Sequence, residues 1–590
     1  MLRLLRREKD RGVPWFLTLL LLLTITASCV STRLPSGLSV EGGISQVEHN
    51  VLSLVNGSKA YSFDLHLESI ALSHLAFRSG GSPGANETAD WVASQFESFG
   101  LQTEKEEYQF SNWDLKSQPI LIIDDDGNLN TAGDQVEIAS FQCAHYSWPT
   151  VAGGVFSDLV VLPLPYAADR GQIGVNSINA SAWNAIDTFG KVVLIGMEVR
   201  WDPAWEGTYR NKLTAQPPAA VVYTFWYDWM SFVPDSYSST GGRPLSRYGP
   251  YYWNLHVPVG FVSYEDGSWI RNREGSTDVS AKVVIDSAVG AGPHYNVVGR
   301  LSGFVEPDRF VIVSGHYDSV MDAGFCDNGA GVSGVVELAR VFAEAVRRGL
   351  YLPKYTIVFV AFADEELDLV GSLNYVNMHK AEMGSIVAVI NLDCIGSQEF
   401  YVTETNPAGS LDLDQVVHGA AQSLGIAAAV EAQGGSDQES FRDPASLVSD
   451  YYGLWGLRLG ISDAVPVKSS VMLISHPLSY SDKWSMGIPG WIHTSYDNST
   501  STTTLNWVEI DDLELHIEVA ALTVIRVSPS LLVTDLNKDG RVNIQDITIV
   551  AVAFGSRPGD ADWNAIADLD KNGVVNIVDI TVVAKDYGKT

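Results

Sequence analysis

Three apolar runs in this chain are each followed directly by residues that can bind a metal ion, and this pattern constrains the fold most. The run from Phe310 to Val313 is followed by Ser314, Gly315 and His316. The runs YTIVFVAFA and SIVAVINL are followed by Asp364, Glu365, Glu366 and by Asp393. Apolar runs of this length predict buried strands. Because sites in open α/β sheets gather at the carboxyl ends of strands, we expect one imidazole and several carboxylates to meet there.

The surrounding segments alternate between strand and helix patterns, which predicts an α/β fold class. Strands are predicted at NVVGRL, RFVIVSG, YTIVFVAFA and SIVAVINLD, and helices at 329–348 and 368–380. The segment NWVEIDDLELHIEVAALTVIRV predicts a closing amphipathic helix. Nearer the N-terminus, HLESIALSHLAF and DWVASQFESFG predict helices, FRSGGSPGANETA predicts a loop between them, and LQTEKEEYQF predicts a strand.

Length and composition limit the classes of protein to consider. At 590 residues the chain is too long for one ordinary domain. Hydrophobic residues make up 46% and charged residues 18%, which is typical of a globular protein. The 70 acidic residues outnumber the 38 basic ones, for a formal charge of −32. Because phosphate binding needs a basic surface, this balance argues against a nucleic-acid partner.

Residues 1–30 have the pattern of a targeting segment. Basic residues that include Arg3, Arg6 and Arg7 precede an apolar run from Val13 to Ile25. This run is short for a membrane span and has the charged start of a signal peptide. An uncleaved N-terminal anchor is the alternative, and only then would this segment hold the protein in a membrane. We therefore expect a secreted or cell-surface protein.

The chain contains four cysteines, of which Cys29 would leave with a signal peptide. Cys326 and Cys394 each stand beside an aspartate of the predicted site. A disulfide between these two cysteines and a pair of buried thiols are both open, and the thiols are favoured.

Over about residues 60–115 and 289–527 the sequence resembles the M28 family of zinc peptidases. The matching segments are GHYDS, DNGAGVSG, ADEELDLVGS, NLDCIGS and HTSYDN. The resemblance implies a zinc-exopeptidase core in which helices flank a mixed central sheet. It also implies that Asp327 bridges two zinc ions. His316 and Asp393 would complete the ligands of one ion, and Glu366 and His493 those of the other. The resemblance further implies that Asp318 hydrogen-bonds His316 and that Glu365 is the general base.

These residue types suit hydrolysis assisted by a metal. Zinc takes imidazole and carboxylate ligands, and a catalytic site leaves one position for water. Two ions about 3.5–4 Å apart polarise a carbonyl group, and a nearby carboxylate moves the proton. Two details remain open. His476 in LISHP competes with His493 for the last ligand position, although the HTSYD context favours His493, and Ser481-Asp482-Lys483 stands where the family often has SDH.

Between residues 117 and 288 the sequence pattern changes to short strand-like runs, which are separated by loops rich in Gly, Pro and aromatic residues. This predicts a β-rich insertion of domain size. The segments GKVVLIG, AAVVYT and VPVGFVSYEDG resemble a protease-associated (PA) domain. The resemblance implies a module that frames or covers an active-site cleft, and a passive spacer is the alternative.

The C-terminal part contains an internal repeat, DLNKDGRVNIQD at 535–546 and DLDKNGVVNIVD at 568–579. Both segments match a calcium loop, with oxygen ligands at positions 1, 3, 5, 7, 9 and 12. The predicted ligands are Asp535, Asn537, Asp539, Arg541, Asn543 and Asp546, then Asp568, Asp570, Asn572, Val574, Asn576 and Asp579. Over 531–588 the pair resembles a type I dockerin, a small α-helical domain. This implies two Ca²⁺ ions, docking to a cohesin on a scaffold or surface protein, and an association with polysaccharide breakdown.

Taken together, the sequence predicts a secreted two-zinc exopeptidase that removes N-terminal residues from peptides. Its predicted parts are a signal peptide or anchor at 1–30, peptidase residues at 31–116 and 289–529, a PA domain at 117–288 and a dockerin at 530–590. Three alternatives stay open: a carboxypeptidase of the same superfamily, a glutaminyl cyclase that uses one zinc, and a non-catalytic surface binding protein.

Overall fold

The computed structural model describes most of the chain beyond residue 43. The described residues are 44–128, 134–145, 147–162, 184–196, 203–224, 256–274, 279–320, 322–403, 412–431, 435–447, 459–461, 463–476, 497–500, 508–530, 532, 534–537, 539 and 541–589. The predicted targeting segment, His493 and the SDK segment lie outside them. Within the described ranges, no helix combines the length and the apolar composition needed to cross a membrane.

Within the described residues, sixteen strands form two sheets. The strands are β1 Gln102–Leu115, β2 Ile120–Asp124, β3 Gln135–Glu137, β4 Gln142–Cys143, β5 Val155–Leu162, β6 Val192–Gly196, β7 Ala220–Thr224, β8 Val259–Phe261, β9 Ser280–Val284, β10 Ser287–Leu301, β11 Glu306–His316, β12 Tyr355–Phe362, β13 Ile386–Leu392, β14 Glu399–Thr403, β15 Ala428–Glu431 and β16 Ser470–His476. The main sheet has the order β1-β10-β12-β11-β13-β16-β14-β15, and the second sheet has the order β3-β2-β9-β5-β6-β7-β8-β4.

The helices lie before, between and after these strands. They are α1 Gln46–Leu52, α2 Gly57–Ser73, α3 Pro83–Phe99, α4 Pro203–Ala215, α5 Tyr264–Glu274, α6 Gly331–Arg347, α7 Val370–Met378, α8 Leu413–Ser423, α9 Gln438–Arg442, α10 Pro444–Leu447, α11 Ile510–Val527, α12 Ile544–Val552 and α13 Ile577–Lys585.

The centre of the main sheet is parallel and its margins are antiparallel. Strand β11 pairs in parallel with β12 and with β13, and β13 pairs in parallel with β16. Strand β10 pairs antiparallel with β12 and β1, and β14 pairs antiparallel with β16. The prediction of an α/β fold with a mixed sheet is therefore confirmed.

Both faces of the main sheet are buried, which explains why its central strands are apolar throughout. On β11, Val311 and Val313 belong to a large core that also contains Leu338 of α6, while Ile312 belongs to a separate core with Leu373 of α7. Successive side chains of a strand point to opposite faces, so β11 contributes side chains to both cores. Helices thus cover the sheet on both sides and leave its edges at the strand ends open for a site.

The N-terminal helices differ from the prediction in their limits. Helix α3 begins at Pro83, inside the segment that we predicted as a loop, and α2 begins at Gly57, before the predicted helix. The start of α3 follows from local chemistry: Ser82 Oγ accepts a hydrogen bond from Ala85 N at 3.2 Å, and Pro83 needs no partner at the first helical position. The loop prediction 77–89 was therefore too long.

The second sheet is built from residues 120–284, within the predicted β-rich insertion. Strands β6, β7 and β8 fall on the segments GKVVLIG, AAVVYT and VPVGFVSYEDG, whereas β3 and β4 were not predicted. Helices α4 and α5 were not predicted there, because their apolar residues are too few to give a clear helical period. The domain boundaries themselves remain predictions.

A long two-stranded ribbon carries the chain into and out of the second sheet. Strands β1 and β10 pair from Gln102 with Arg300 to Leu115 with Ser287. The pairing continues into the connection, where Lys116 N donates to Asp286 O at 2.7 Å. The two crossings between the sheets are therefore hydrogen-bonded to each other.

Candidate metal centre

Parallel pairing brings the predicted ligands to one edge of the main sheet. In the register, His316 at the end of β11 stands opposite Phe362 at the end of β12, and Ser314 stands opposite Asn391 of β13. The residues that follow β12 and β13, among them Glu365 and Asp393, are therefore carried to the same place. This is the arrangement that the strand-end pattern predicted.

Three of these side chains form a compact group around the imidazole of His316. His316 Nε2 lies 3.3 Å from Asp327 Oδ1, 3.5 Å from Asp393 Oδ1 and 3.9 Å from Glu365 Oε2. One ligand atom from each of His316, Asp327 and Asp393 falls within 4.8 Å of the others. The spacing allows a single divalent ion to contact all three.

The chemistry of the group fits zinc. His316 is fully buried, and neither its Nε2 nor Asp393 Oδ1 has a hydrogen-bond partner. Buried charged or polar atoms are normally hydrogen-bonded or bound to a metal, so a bound metal ion would account for these two atoms. One imidazole with carboxylates is a common zinc ligand set.

Asp318 lies behind His316 and contacts it through two oxygens. His316 Nδ1 is 3.1 Å from the main-chain oxygen of Asp318 and 3.5 Å from its Oδ1. Either acceptor favours the tautomer that leaves Nε2 free to bind a metal. The Asp318 carboxylate also accepts from Glu365 N at 3.1 Å and Glu366 N at 3.3 Å. It thereby ties the β12 turn to the end of β11, a contact that was not predicted.

The turn after β12 places Glu365 at the centre and Glu366 beside it. Burial, with repulsion from Glu366 and Asp393, raises the pKa of Glu365 well above its usual value, although His316 opposes this shift. Burial alone would lower the pKa of His316, but the nearby carboxylates of Glu365 and Asp393 hold it well above its usual value. Glu366 is only 4% exposed.

Asp327 sits on a tight turn between β11 and α6 that Asp497 holds in place. Asp497 Oδ1 accepts from Cys326 N at 2.6 Å, and its Oδ2 accepts from Asp327 N at 3.0 Å. Asp497 belongs to the segment HTSYDN, but the sequence analysis gave it no role. Of the seven residues predicted for catalysis and zinc binding, the side chains of His316, Asp318, Asp327, Glu365 and Asp393 are brought together. Glu366 follows Glu365 in the same turn, and His493 lies outside the described residues.

Two further carboxylates near the site were not predicted as site residues. Asp437 is fully buried, and burial raises its pKa to about 7, against the attraction of His316. In the sequence, only the segment GGSDQESF, which contains Asp437, could have indicated that this residue lies near the site. Asp364 instead turns away from the site, where its Oδ2 accepts from Tyr108 Oη at 2.6 Å and lies 2.7 Å from His294 Nδ1.

The cysteines beside the metal group are free and buried. Cys326 and Cys394 hydrogen-bond each other. This bond, together with burial, raises the pKa of the Cys394 thiol, whereas it opposes the effect of burial on Cys326, whose pKa is still raised to about 12. Of the two alternatives left open by the sequence, the pair of buried thiols is the one observed.

The two repeated C-terminal loops have matching geometry. Asp546 Oδ1 accepts from Leu536 N at 2.7 Å, and Asp579 Oδ1 accepts from Leu569 N at 2.8 Å. Each of these aspartates also accepts a hydrogen bond from the main-chain N–H of the residue that caps the following helix, Asn543 for α12 and Asn576 for α13. In the second loop, carboxylate oxygens of Asp568, Asp570 and Asp579 lie within 4.8 Å of one another. Other predicted ligands form hydrogen bonds within their loops: Asp535, Asn537, Asp539, Arg541, Asn543, Asn572, Val574 and Asn576.

Known proteins match the main-sheet region. Residues 296–513 match the family model Peptidase family M28. Aminopeptidase YwaD of Bacillus subtilis (strain 168) is 27% identical over 353 residues, which is 58% of this chain and 67% of that protein. A probable zinc metalloprotease of Pyrenophora teres f. teres (strain 0-1) is 40% identical over 120 residues, 19% of this chain. The chain spans only about a quarter (24%) of the length of that relative.

Solved structures share the fold. BSAP, a zinc aminopeptidase from Bacillus subtilis, aligns with a TM-score of 0.55 at 20% identity, over 80% of this chain and 96% of that one. A peptidase M28 precursor from Shewanella amazonensis SB2B aligns with a TM-score of 0.51 at 19% identity, over 82% of this chain and 97% of that one. At these identities the likeness establishes the fold.

Proposed function

We propose that the protein is a zinc aminopeptidase. The starting point is that residues 296–513 match the model of peptidase family M28. The observation that carries the proposal is the group of His316, Asp327 and Asp393 at one edge of the sheet, with orphaned Nε2 and Oδ1 atoms. The names of the relatives, zinc metalloprotease and aminopeptidase, agree with it.

Two zinc ions are proposed, as in the sequence analysis. His316 and Asp393 would hold one ion, Glu366 and His493 the other, and Asp327 would bridge them. Zinc, when bound, polarises the scissile carbonyl and lowers the pKa of a water molecule. Glu365 then takes the proton of the attacking water on its carboxylate and delivers it to the leaving amine. Burial raises the pKa of Glu365, and a raised pKa favours transfer of a proton to its carboxylate.

The test is release of aminoacyl chromophores by the zinc-loaded protein, with zinc counted per chain. In Glu365→Gln we expect turnover to fall about 10²–10⁴-fold while both zinc ions stay bound. Glu97→Gln, an exposed substitution of the same kind on α3, is the matched control and should keep full turnover. Equal turnover in Glu365→Gln and wild type would contradict the role of Glu365.

The same measurements separate the alternative activities. Two zinc ions with cleavage only at free carboxyl ends would indicate a carboxypeptidase. One zinc ion with cyclisation of N-terminal glutamine would indicate a glutaminyl cyclase. Failure to bind zinc would overturn the enzyme proposal and favour a surface binding protein.

For the C-terminal residues we propose a dockerin that binds two calcium ions and a cohesin. The support is the duplicated hydrogen-bond pattern of the two loops and a matching pair of exposed apolar residues. Ile544 and Ile577 open α12 and α13 at equivalent positions and are 61% and 62% exposed. Exposed apolar residues at corresponding places suit a protein-binding face.

Binding to an immobilised panel of type I cohesins, with and without a calcium chelator, tests this proposal. We expect binding in calcium that the chelator abolishes and that Ile544→Ser combined with Ile577→Ser weakens. Calcium-independent binding, or no binding to any cohesin in the panel, would count against it.

Secretion and the role of the inserted region are proposals as well. Residues 1–30 would direct export, and the second sheet would act as a PA domain that frames the cleft. N-terminal sequencing of the protein recovered from culture medium tests the first point. Retention of residues 1–30 on a cell-bound protein would favour the anchor instead.

A further inference from the structure

A second acidic group lies far along the chain from the proposed zinc ligands, at the edge of the second sheet. Strands β2 and β3 form an antiparallel pair in which Asp124 stands opposite Gln135. Asp134 directly precedes β3, and Asp126 follows Asp124 in the turn. One carboxylate oxygen from each of Asp124, Asp126 and Asp134 lies within 4.8 Å of the others. We call these three residues the Asp124 cluster.

One buried carboxylate oxygen of the cluster, Asp124 Oδ2, lacks a hydrogen-bond partner. Asp124 is 0% exposed, and although its Oδ1 accepts from Asn128 N at 3.0 Å, its Oδ2 has no hydrogen-bond partner. A buried carboxylate oxygen without a partner is strongly unfavourable, so such groups are paired or bound to metals. The unpartnered Asp124 Oδ2 therefore points to a bound ligand in the cluster.

Asp125, which is next to the cluster in sequence, is paired with an arginine. Arg273 of α5 donates to Asp125 and forms an ion pair with it. Asp125 lies between Asp124 and Asp126 in sequence but is not one of the clustered residues. An arginine thus balances the charge of Asp125, and a cation bound among the clustered carboxylates would reduce the repulsion between them.

The donor set selects the ion. Carboxylate oxygens alone suit Ca²⁺, which takes six to eight oxygen ligands at about 2.3–2.6 Å, and main-chain carbonyls and water usually complete the shell. Zinc prefers sites that include imidazole or thiolate. We propose that Asp124, Asp126 and Asp134 bind one calcium ion that ties β2 to β3 at the edge of the second sheet.

Equilibrium dialysis of the full-length protein against about 5 mM radiolabelled calcium tests this site, because extracellular calcium modules bind at about 0.1–1 mM. Asp126→Asn should bind one calcium ion fewer per chain than wild type. Asp126 is exposed, so its substitution leaves the core of the sheet intact. Asp124→Asn should show the same loss, and Asp125→Asn is the matched control that should bind as wild type does. The C-terminal loops are identical in all four proteins and cancel in the comparison.

Amide hydrogen exchange gives a second readout that requires no peptidase activity. Calcium should slow exchange in β2 and β3 of wild type and of Asp125→Asn, and should have no such effect in Asp126→Asn. Equal calcium stoichiometry in wild type and Asp126→Asn, or exchange in β2 and β3 that does not respond to calcium, would overturn the proposal.

Discussion

The contact between Asp497 and the Asp327 turn makes a quantitative prediction about metal affinity. Asp497 accepts from two main-chain amides, Cys326 N at 2.6 Å and Asp327 N at 3.0 Å. In Asp497→Asn one oxygen becomes an NH₂ group, which cannot accept and instead faces an N–H donor. A hydrogen bond to a charged group contributes about 1.5–3 kcal/mol. One such bond is lost, and the turn that carries Asp327 loses its support.

This loss should appear as weaker zinc binding. Because about 1.4 kcal/mol corresponds to a factor of ten, we expect the zinc Kd of Asp497→Asn to rise about 10- to 150-fold. Substitution of groups that orient metal ligands commonly weakens binding by about 10–100-fold, which agrees with this range.

Competition with a chromophoric chelator measures the zinc Kd directly. The matched control is Asp562→Asn, an exposed substitution of the same kind, which should bind zinc as wild type does. Circular dichroism of both variants checks that the fold is retained. A zinc Kd for Asp497→Asn within about twofold of wild type, with the fold intact, would refute the argument that Asp497 positions Asp327.

Two further predictions concern stability. Burial lowers the pKa of His516 to about 3, and its Nδ1 accepts from Gly396 N at 3.0 Å. Below pH about 6.5 the unfolded chain therefore binds a proton that the folded chain excludes, and stability falls as pH falls. His516→Asn keeps an acceptor but does not titrate in this range. In urea unfolding, the stability advantage of wild type over this variant should therefore shrink by about 2 kcal/mol from pH 7.5 to pH 5. An unchanged difference would contradict a buried neutral imidazole. Leu338→Ala, at a fully buried position of α6, should lower the free energy of unfolding by about 2–5 kcal/mol in the same assay. Leu72 is 60% exposed, so Leu72→Ala should change this free energy little. Equal losses in the two variants would contradict the core assignment.

The strand-end residues of the site could be predicted because one physical rule governs them. Parallel strands share a direction, so residues that follow β11, β12 and β13 must meet at one edge. The rule gives the place of His316, Glu365 and Asp393 without knowledge of the packing. It also gave the α/β fold, because buried parallel strands are apolar throughout.

The rest of the site depends on contacts between distant segments. Asp364 follows β12 as Glu365 does, yet it turns to Tyr108 of β1 and to His294 of β10. Asp437 comes from a different part of the chain altogether. No local period distinguishes a carboxylate that faces the metal from one that faces a neighbouring strand. Only the assembled sheet determines these directions.

The paired crossing of β1 and β10 has a mechanical consequence. A domain joined by single-chain linkers can swing about a few main-chain torsions, but here both connections are bonded to each other from Gln102 and Arg300 to Lys116 and Asp286. Bending within the plane of this ribbon would stretch its ladder of hydrogen bonds. The paired crossing therefore opposes movement of the second sheet in that plane, which two separate linkers would permit.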